Sequence, residues 1–267
     1  MTSSFPVRAQ PISERAFPSL WLSVHAELTI LSRQKLVAVA LVVACAYQVY
    51  SLYEASQWRR ADDAAGYYLN QSLVSLVQLS GLSLMVVLAG AGSREDEWGT
   101  TAPRVAVEGR MLVLGAKVFV STALTVGVVA ACGALGLVVD AVAGDSAEPV
   151  WSIVRASMLV FLVVECWSLV TLLLALLMRK PLPVIVIIAS WYLIEASVDA
   201  LMPQGVVSLL PVENARAILS VALPARDGFI AVPPALVTSF GGGCGYYGSL
   251  LLVVSALLWL VSQRRSL

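Results

Sequence analysis

The chain has 267 residues, of which 59% are hydrophobic and 13% are charged, and its formal net charge is zero. Nucleic-acid-binding proteins need a basic surface, so nothing in this composition indicates a nucleic-acid partner. The mean hydropathy is +0.85, and apolar runs of roughly 18 residues or more predict an all-α polytopic membrane protein.

The chain begins with two segments that precede any membrane span. Residues 1–16 are polar and contain two prolines, which predicts an extended cytoplasmic tail. In residues 17–35, apolar side chains recur at three- and four-residue steps, as in an amphipathic helix. The apolar positions are Phe17, Leu20, Trp21, Val24, Leu28 and Leu31. The positions off this stripe are Ser23, Glu27, Arg33 and Gln34. We expect an "elbow" helix that lies in the membrane interface and leads into the first span.

Six apolar runs follow the elbow. They occupy residues 36–53, 71–92, 111–139, 151–178, 182–201 and 246–261. They predict six transmembrane helices, so that residues 17–267 form a single membrane domain. The third and fourth runs are longer than the ~20 residues that a helix needs to cross the bilayer, so we expect tilt or protrusion there.

The distribution of Lys and Arg predicts the orientation. Most of these residues lie on the side that contains both termini and residues 93–110. The positive-inside rule makes that side cytoplasmic. The longest connector, residues 202–243, then faces outward. Its short apolar patches, broken by prolines, predict interfacial or re-entrant helices over the outer face.

The polar segment between the second and third spans, residues 93–110, is the most distinctive part of the chain. It reads SREDEWGTTAPRVAVEGR, with acids and arginines around Gly99 and Thr100. Charged groups of both signs in so short a connector suit a structured surface that docks a soluble partner. The alternative is a solvated loop that only follows the positive-inside rule.

Several kinds of chemistry are not indicated by the sequence. The nearest approach to a phosphate-binding loop, residues 109–118, has its glycines too far apart and lacks the Lys-Ser/Thr pair. The one histidine, His25, provides neither a metal site nor a catalytic triad. The four cysteines lie in or beside apolar runs without a C-x-x-C pair, so we expect small core residues. We therefore predict a non-enzyme without a cofactor or metal of its own.

One ionisable residue lies in the middle of a predicted span. An ionised Glu165 would cost several kcal/mol there unless it were paired or hydrated. Arg155 is about 15 Å away along the same helix, so the two cannot pair within it. Glu165 can be neutral, pair elsewhere, line a transport path, or form a structural hydrogen bond between helices. Near the outer end of the fifth span, Glu195 and Asp199 are expected in a solvated rim.

The chain resembles the ABC-2 family of transporter permeases. The segment Glu95-x-Glu97-x-Gly99-Thr100 is similar to the acidic–x–acidic–x–Gly–Thr signature of that family. It is followed by Gly109-Arg110 and by Lys117, which are similar to the family's Gly/Ser-Arg and to a Lys at the start of the third span. The elbow, six spans, cytoplasmic termini and broken outer connector add to the resemblance. Residues 104–108 depart from the family's Pro-x-x-Arg pattern.

The resemblance implies a membrane subunit of a bacterial ABC exporter in the plasma membrane. It implies a dimer with a second permease copy or a homologous permease, each half bound to a nucleotide-binding ATPase subunit that holds ATP and Mg. The substrate would be an amphipathic or hydrophobic compound: a drug, an antibiotic, a lipid or a peptide. Residues implied to couple to the ATPase are Glu27, Arg33, Glu95, Glu97, Gly99, Thr100 and Arg110. Glu165 is a candidate for the transport path. The alternative is a secondary transporter or channel that works without an ATPase.

Overall fold

The computed structural model describes residues 20–58, 67–77, 84–90, 110–143, 150–198, 210–211, 214–215 and 239–264. Within these ranges the chain is helical and contains no β-strand. Its helices, in chain order, are α1 (Leu20–Ser32), α2 (Lys35–Trp58), α3 (Tyr67–Ser75), α4 (Arg110–Ala143), α5 (Val150–Met178), α6 (Pro181–Val198) and α7 (Phe240–Arg264). Residues 84–90 are also helical.

Four of these helices are long and apolar enough to cross a membrane. Their candidate spans are Val37–Gln57, Met111–Ala143, Val150–Met178 and Phe240–Gln263. By length and composition, they indicate a multi-pass membrane protein. They correspond to the first, third, fourth and sixth predicted runs, and each is longer than the sequence pattern suggested or equal to it.

The other two predicted spans are only partly described. The second, residues 71–92, is represented by α3 and by residues 84–90, while residues 78–83 lie outside the description. The fifth corresponds to α6, whose apolar section, Pro181–Glu195, falls among the shorter apolar helices. Most of the outer connector, residues 202–243, and all of residues 1–16 also lie outside the described part of the chain.

Helix α5 forms the centre of the described bundle. It packs against α3, α4, α6 and α7. In its most apolar window 61% of the residues are buried, compared with 17–22% in the other three spans. Its buried side chains include Ala156, Val160 and Val164, which contact leucines of α3. The outer helices instead leave large apolar side chains exposed, as a surface in contact with lipid would.

Helix α1 lies along α4, and two of its polar residues face the protein. Ser23 and Glu27 are buried, while Trp21 and Leu22 are 70% and 60% exposed. The sequence pattern placed Ser23, Glu27 and Gln34 off the apolar stripe, and the structure buries all three. In a helix that contacts lipid, apolar side chains favourably face the lipid, and polar side chains form hydrogen bonds or ion pairs with neighbouring helices.

Helices α3 and α4 approach each other very closely at a glycine. A Cβ atom on Gly136 would lie 2.6 Å from the Cα of Leu69 and 3.0 Å from the carbonyl oxygen of Tyr68. One turn further along α4, the Asp140 carboxylate accepts hydrogen bonds from the backbone amides of Tyr68 (2.9 Å) and Leu69 (3.0 Å). A residue of α4 thus caps the first turn of α3, where amides lack partners within the helix.

Candidate functional site

Only part of the predicted ATPase-coupling set is described by the structure. Four of its seven residues lie outside the described ranges: Glu95, Glu97, Gly99 and Thr100. Arg110 is the first residue of α4. Arg33 is exposed just after α1, whereas Glu27 is buried within it. Among the described members of the set, Glu27 therefore has an environment that the sequence pattern did not predict.

Glu27 forms a buried ion pair with Lys117 of α4. The Lys117 Nζ atom lies 3.2 Å from Glu27 Oε1 and 3.4 Å from Oε2. The Lys117 side chain is 5% exposed and the Glu27 side chain is 2% exposed. Desolvating two charges is costly, and their attraction offsets that cost only with good geometry. Removal of one charge from such a pair strongly destabilises a protein, because the opposite charge loses its counter-ion and stays buried.

The surroundings of this pair are mostly apolar. An apolar cluster includes neighbours of Glu27 on α1 and of Lys117 on α4. Its buried residues are Val24, Leu31, Ala40, Val87, Ala116 and Val120. They come from α1, α2, α4 and residues 84–90, so four parts of the chain pack together beside the ion pair. This packing excludes water and strengthens the attraction between Glu27 and Lys117.

Two buried polar side chains, one between α1 and α2 and one on α4, have no hydrogen-bond partner among the described residues. They are Gln34, for both its side-chain oxygen and nitrogen, and Ser121, for its hydroxyl. Ser121 is one helical turn beyond Lys117 on α4. Unpaired buried groups of this kind carry a desolvation penalty of about 1–3 kcal/mol each.

Further along α4, a second group of polar side chains meets α5. Thr122 donates a hydrogen bond of 2.6 Å to Glu165 Oε1, and Glu165 is 4% exposed. Thr125 lies 3.4 Å from Ser168, oxygen to oxygen. We call Ser121, Thr122, Thr125, Glu165 and Ser168 the α4–α5 seam. The hydrogen bond from Thr122 to Glu165 joins two helices, which was one of the alternatives considered for Glu165.

The Glu165 carboxylate is only half satisfied. Its second oxygen, Oε2, is buried and has no hydrogen-bond partner in the described part of the chain. Arg155, the candidate partner considered from the sequence, stacks on the Phe240 ring instead, with its guanidinium carbon 4.9 Å from the ring centroid. That contact is a cation–π interaction with α7.

A third polar group joins α2, α3 and α4. Gln48 donates to the carbonyl oxygen of Ser72 (3.0 Å) and to its hydroxyl, and accepts from the Ser75 hydroxyl (2.6 Å). The Ser72 hydroxyl donates in turn to the carbonyl oxygen of Cys132 (2.6 Å). We call Gln48, Ser72, Ser75 and the Cys132 carbonyl the α2–α3 network. Every polar side-chain atom in it has a partner.

Glu195 lies elsewhere than expected. It is 3% exposed, and its carboxylate accepts a hydrogen bond of 2.7 Å from the indole nitrogen of Trp191. The prediction of a solvated rim is therefore wrong for Glu195, because the adjacent turn of α6 supplies a donor that permits burial. Asp199 lies outside the described residues.

The sequence did not reveal the partner of Glu27 or the alignment of the hydroxyls. The available signal was the four-residue spacing of Lys117, Ser121 and Thr125, which places three polar groups on one face of an apolar helix. No hydroxyl side chain of the third or fourth predicted span was singled out from the sequence.

Metal chemistry finds no support in the described ranges. There, no group of three or more His, Cys, Asp or Glu side chains is arranged to hold a metal ion. The four cysteines are free thiols. Comparisons with family models, curated proteins and solved structures found no match to this chain.

Proposed function

We propose that the chain is the transmembrane permease subunit of an ATP-binding cassette transporter of the bacterial plasma membrane. It would export an amphipathic or hydrophobic compound, with both termini in the cytoplasm. A separate nucleotide-binding subunit would hold ATP and Mg and hydrolyse the nucleotide. A second permease copy, or a homologous permease, would complete the membrane unit.

The observation that supports this proposal is the Glu27–Lys117 ion pair. Lys117 lies about two helical turns after Arg110, where α4 begins. Residues 93–110 lead directly into α4, and α1 is attached to the same helix by a buried pair of charges. A force applied by a partner to either segment would reach α4, which is 34 residues long.

The proposed contacts with the ATPase lie in the segment that leads into α4. Glu95 and Glu97 would pair with basic groups of the ATPase subunit or of the elbow. Gly99 would permit a tight backbone turn, and Thr100 would cap a short helix. Arg33, which is exposed, would contribute from the elbow. Glu27 would then stabilise the elbow from inside, through Lys117, without contacting the partner.

Co-purification of the full chain tests this proposal. We expect the tagged chain, extracted from its native membrane in mild detergent, to bring down a P-loop ATPase in stoichiometric amount with measurable ATP hydrolysis. Glu97→Arg or Gly99→Trp should abolish the association. Glu54→Arg is the matched control, because Glu54 is exposed on α2 and lies outside the proposed contact. An ATPase that remains bound to both coupling variants would contradict the assignment.

A second candidate function has one observation in its favour. Glu165 is a buried carboxyl with an unpartnered oxygen, and intramembrane carboxyls frequently belong to ion or proton pathways. A secondary transporter or channel would use such a group without any ATPase. Transport by the purified chain in liposomes, driven by an ion gradient in the absence of ATP, would establish that function and exclude the first.

A further inference from the structure

Three of the four hydroxyl groups of the α4–α5 seam, those of Thr122, Thr125 and Ser168, donate hydrogen bonds. Thr122 donates to Glu165 Oε1, at 2.6 Å. Thr125 donates to the carbonyl oxygen of Ser121, at 3.1 Å, and Ser168 donates to that of Val164, at 2.7 Å. The three hydroxyl oxygens therefore present lone pairs, and the 3.4 Å contact between Thr125 and Ser168 brings two such oxygens together.

Two further oxygens of the seam have no partner. They are Glu165 Oε2 and the Ser121 hydroxyl, and both atoms are buried. Among the described residues, Glu165 forms no ion pair. The Ser121 hydroxyl could donate, but it forms no hydrogen bond with Glu165, so the second carboxylate oxygen has no donor among the described residues. An ionised carboxylate in this state would cost several kcal/mol at the level of a membrane span.

We infer that the α4–α5 seam is a binding site for a small monovalent cation, a proton or a sodium ion, held by the Glu165 carboxylate. A proton would form an O–H bond at Glu165 Oε2 and convert an acceptor into a donor. A sodium ion would take lone pairs from the carboxylate and the hydroxyls, which are the oxygen ligands that hard cations prefer. Either cation would give Glu165 Oε2 the partner that it lacks among the described residues.

The size of the cation follows from the packing. Ser121, Thr125 and Ser168 are completely buried, and Glu165 is 4% exposed. Packing of this kind leaves no room for an organic cation between α4 and α5 unless the helices separate. The inference goes beyond the proposed function and does not depend on it, because it concerns the permease chain alone.

Among the side chains that the structure describes, the other titratable groups on α5 and on the helices packed against it form no ion pair with Glu165. They are Tyr68 on α3, Lys117, Cys132 and Asp140 on α4, Arg155 and Cys166 on α5, Glu195 on α6, and Cys244, Tyr246 and Tyr247 on α7. Of the charged members, Lys117 pairs with Glu27, and Arg155 stacks on Phe240. Asp140 and Glu195 accept hydrogen bonds from α3 and from Trp191.

Infrared spectroscopy of the full chain in lipid nanodiscs tests the proton. If the cation is a proton, we expect the C=O stretching band of a neutral carboxylic acid at neutral pH, and its loss in Glu165→Gln. Glu195→Gln is the matched control, because Glu195 is also a buried acid on a neighbouring helix but has an indole donor. It should leave the Glu165 band in place.

Thermal unfolding tests the sodium ion. If the cation is sodium, we expect the wild-type midpoint to rise when choline chloride is replaced by sodium chloride at constant ionic strength. That rise should disappear in Glu165→Gln and persist in Glu195→Gln. The side-chain amide of Gln donates hydrogen bonds, so this variant supplies the seam with the missing donors and should fold.

Either signal, when it depends on Glu165, supports the inference and identifies the cation. The inference is overturned if the wild type shows neither a protonated carboxyl band nor a sodium-dependent midpoint. It is also overturned if the observed signal persists in Glu165→Gln. Because no ATPase is present in these measurements, their failure leaves the proposed permease function untouched, and failure of co-purification leaves the cation site untouched.

Discussion

The α2–α3 network and the α4–α5 seam are both polar groups buried among apolar helices, but they differ in how fully they are paired. In the network, both the side-chain oxygen and the nitrogen of Gln48 form hydrogen bonds, and the Ser72 hydroxyl donates to the Cys132 carbonyl of α4. In the seam, Glu165 Oε2 and the Ser121 hydroxyl have no partner among the described residues.

This difference separates two uses of polar groups inside a membrane protein. A fully paired network adds rigidity and fixes the register of the helices that it joins, because each group depends on its neighbours. An incompletely paired group raises the free energy of the folded chain, and binding of a ligand or movement of the helices lowers that free energy again. We therefore assign a structural role to the α2–α3 network and a binding role to the seam.

The largest effect is expected at the Glu27–Lys117 ion pair, which extends the comparison from hydrogen-bonded groups to buried charges. Lys117→Met keeps most of the length of the side chain and removes its charge, which leaves the buried Glu27 carboxylate without the Lys117 ammonium group. We expect the free energy of unfolding to fall by about 3 to 5 kcal/mol, the usual effect of breaking a buried pair. SDS titration of the purified chain, followed by circular dichroism, measures this change.

Two further variants separate the loss of charge from the loss of packing. Glu27→Gln combined with Lys117→Met removes both charges and should recover most of the stability. Lys180→Met is the control, because Lys180 is exposed in the connection between α5 and α6, and it should change little. A double variant as unstable as Lys117→Met would show that the ion pair is not the cause.

A smaller effect is expected at the contact that holds α3 against α4. In Gly136→Ala, the new Cβ would lie 2.6 Å from the Cα of Leu69, so the backbones must separate. We expect a loss of about 1 to 3 kcal/mol, as for other overpacked sites. Gly127→Ala is the control on the same helix, because nothing lies within 4 Å of its Cβ position. Equal stability of the two variants would contradict the close approach.

Removal of the cap on α3 should lower the free energy of unfolding by less than Gly136→Ala does. Asp140→Ala leaves the backbone amides of Tyr68 and Leu69 without their acceptor. The expected loss is about 0.5 to 2 kcal/mol, the range found for other helix caps. Amide hydrogen exchange at Tyr68 and Leu69 gives a local measurement, and it should become faster in Asp140→Ala and stay unchanged in Glu54→Ala.

The long helices could be predicted from the sequence because each depends on local composition. The runs that correspond to α4 and α5 are apolar over more than the bilayer thickness, and no other structure satisfies their backbone groups in lipid. A helix was also predicted within residues 17–35, and α1 spans Leu20–Ser32 there. Its position in the membrane interface, as an elbow, remains a prediction. The coupling residues from Glu95 to Thr100 remain a prediction, because they lie outside the described part of the chain.

The pairing of polar groups between helices could not be predicted. Glu27 and Lys117 are 90 residues apart in the chain, and hydropathy does not reveal which helix faces which. The helix within residues 17–35 was expected to lie in the membrane interface, and its pattern does not indicate that Ser23 and Glu27 contact another helix. Only the packing of α1 on α4 shows that these residues point toward the protein.

The smallest effects provide the most direct test of the contrast between the two groups. Ser72→Ala removes the hydrogen bond to the Cys132 carbonyl and one contact of Gln48, so we expect a loss of about 0.6 to 1.7 kcal/mol. Ser121→Ala removes a hydroxyl that has no partner in the described structure, so the free energy of unfolding should stay equal or rise slightly. Both changes delete one buried hydroxyl, which makes each the control for the other. The unfolding measurement belongs in sodium-free buffer, because a bound cation would give Ser121 a partner. Equal losses in the two variants would mean that the seam is as fully paired as the network, and the distinction between a structural and a binding role would then fail.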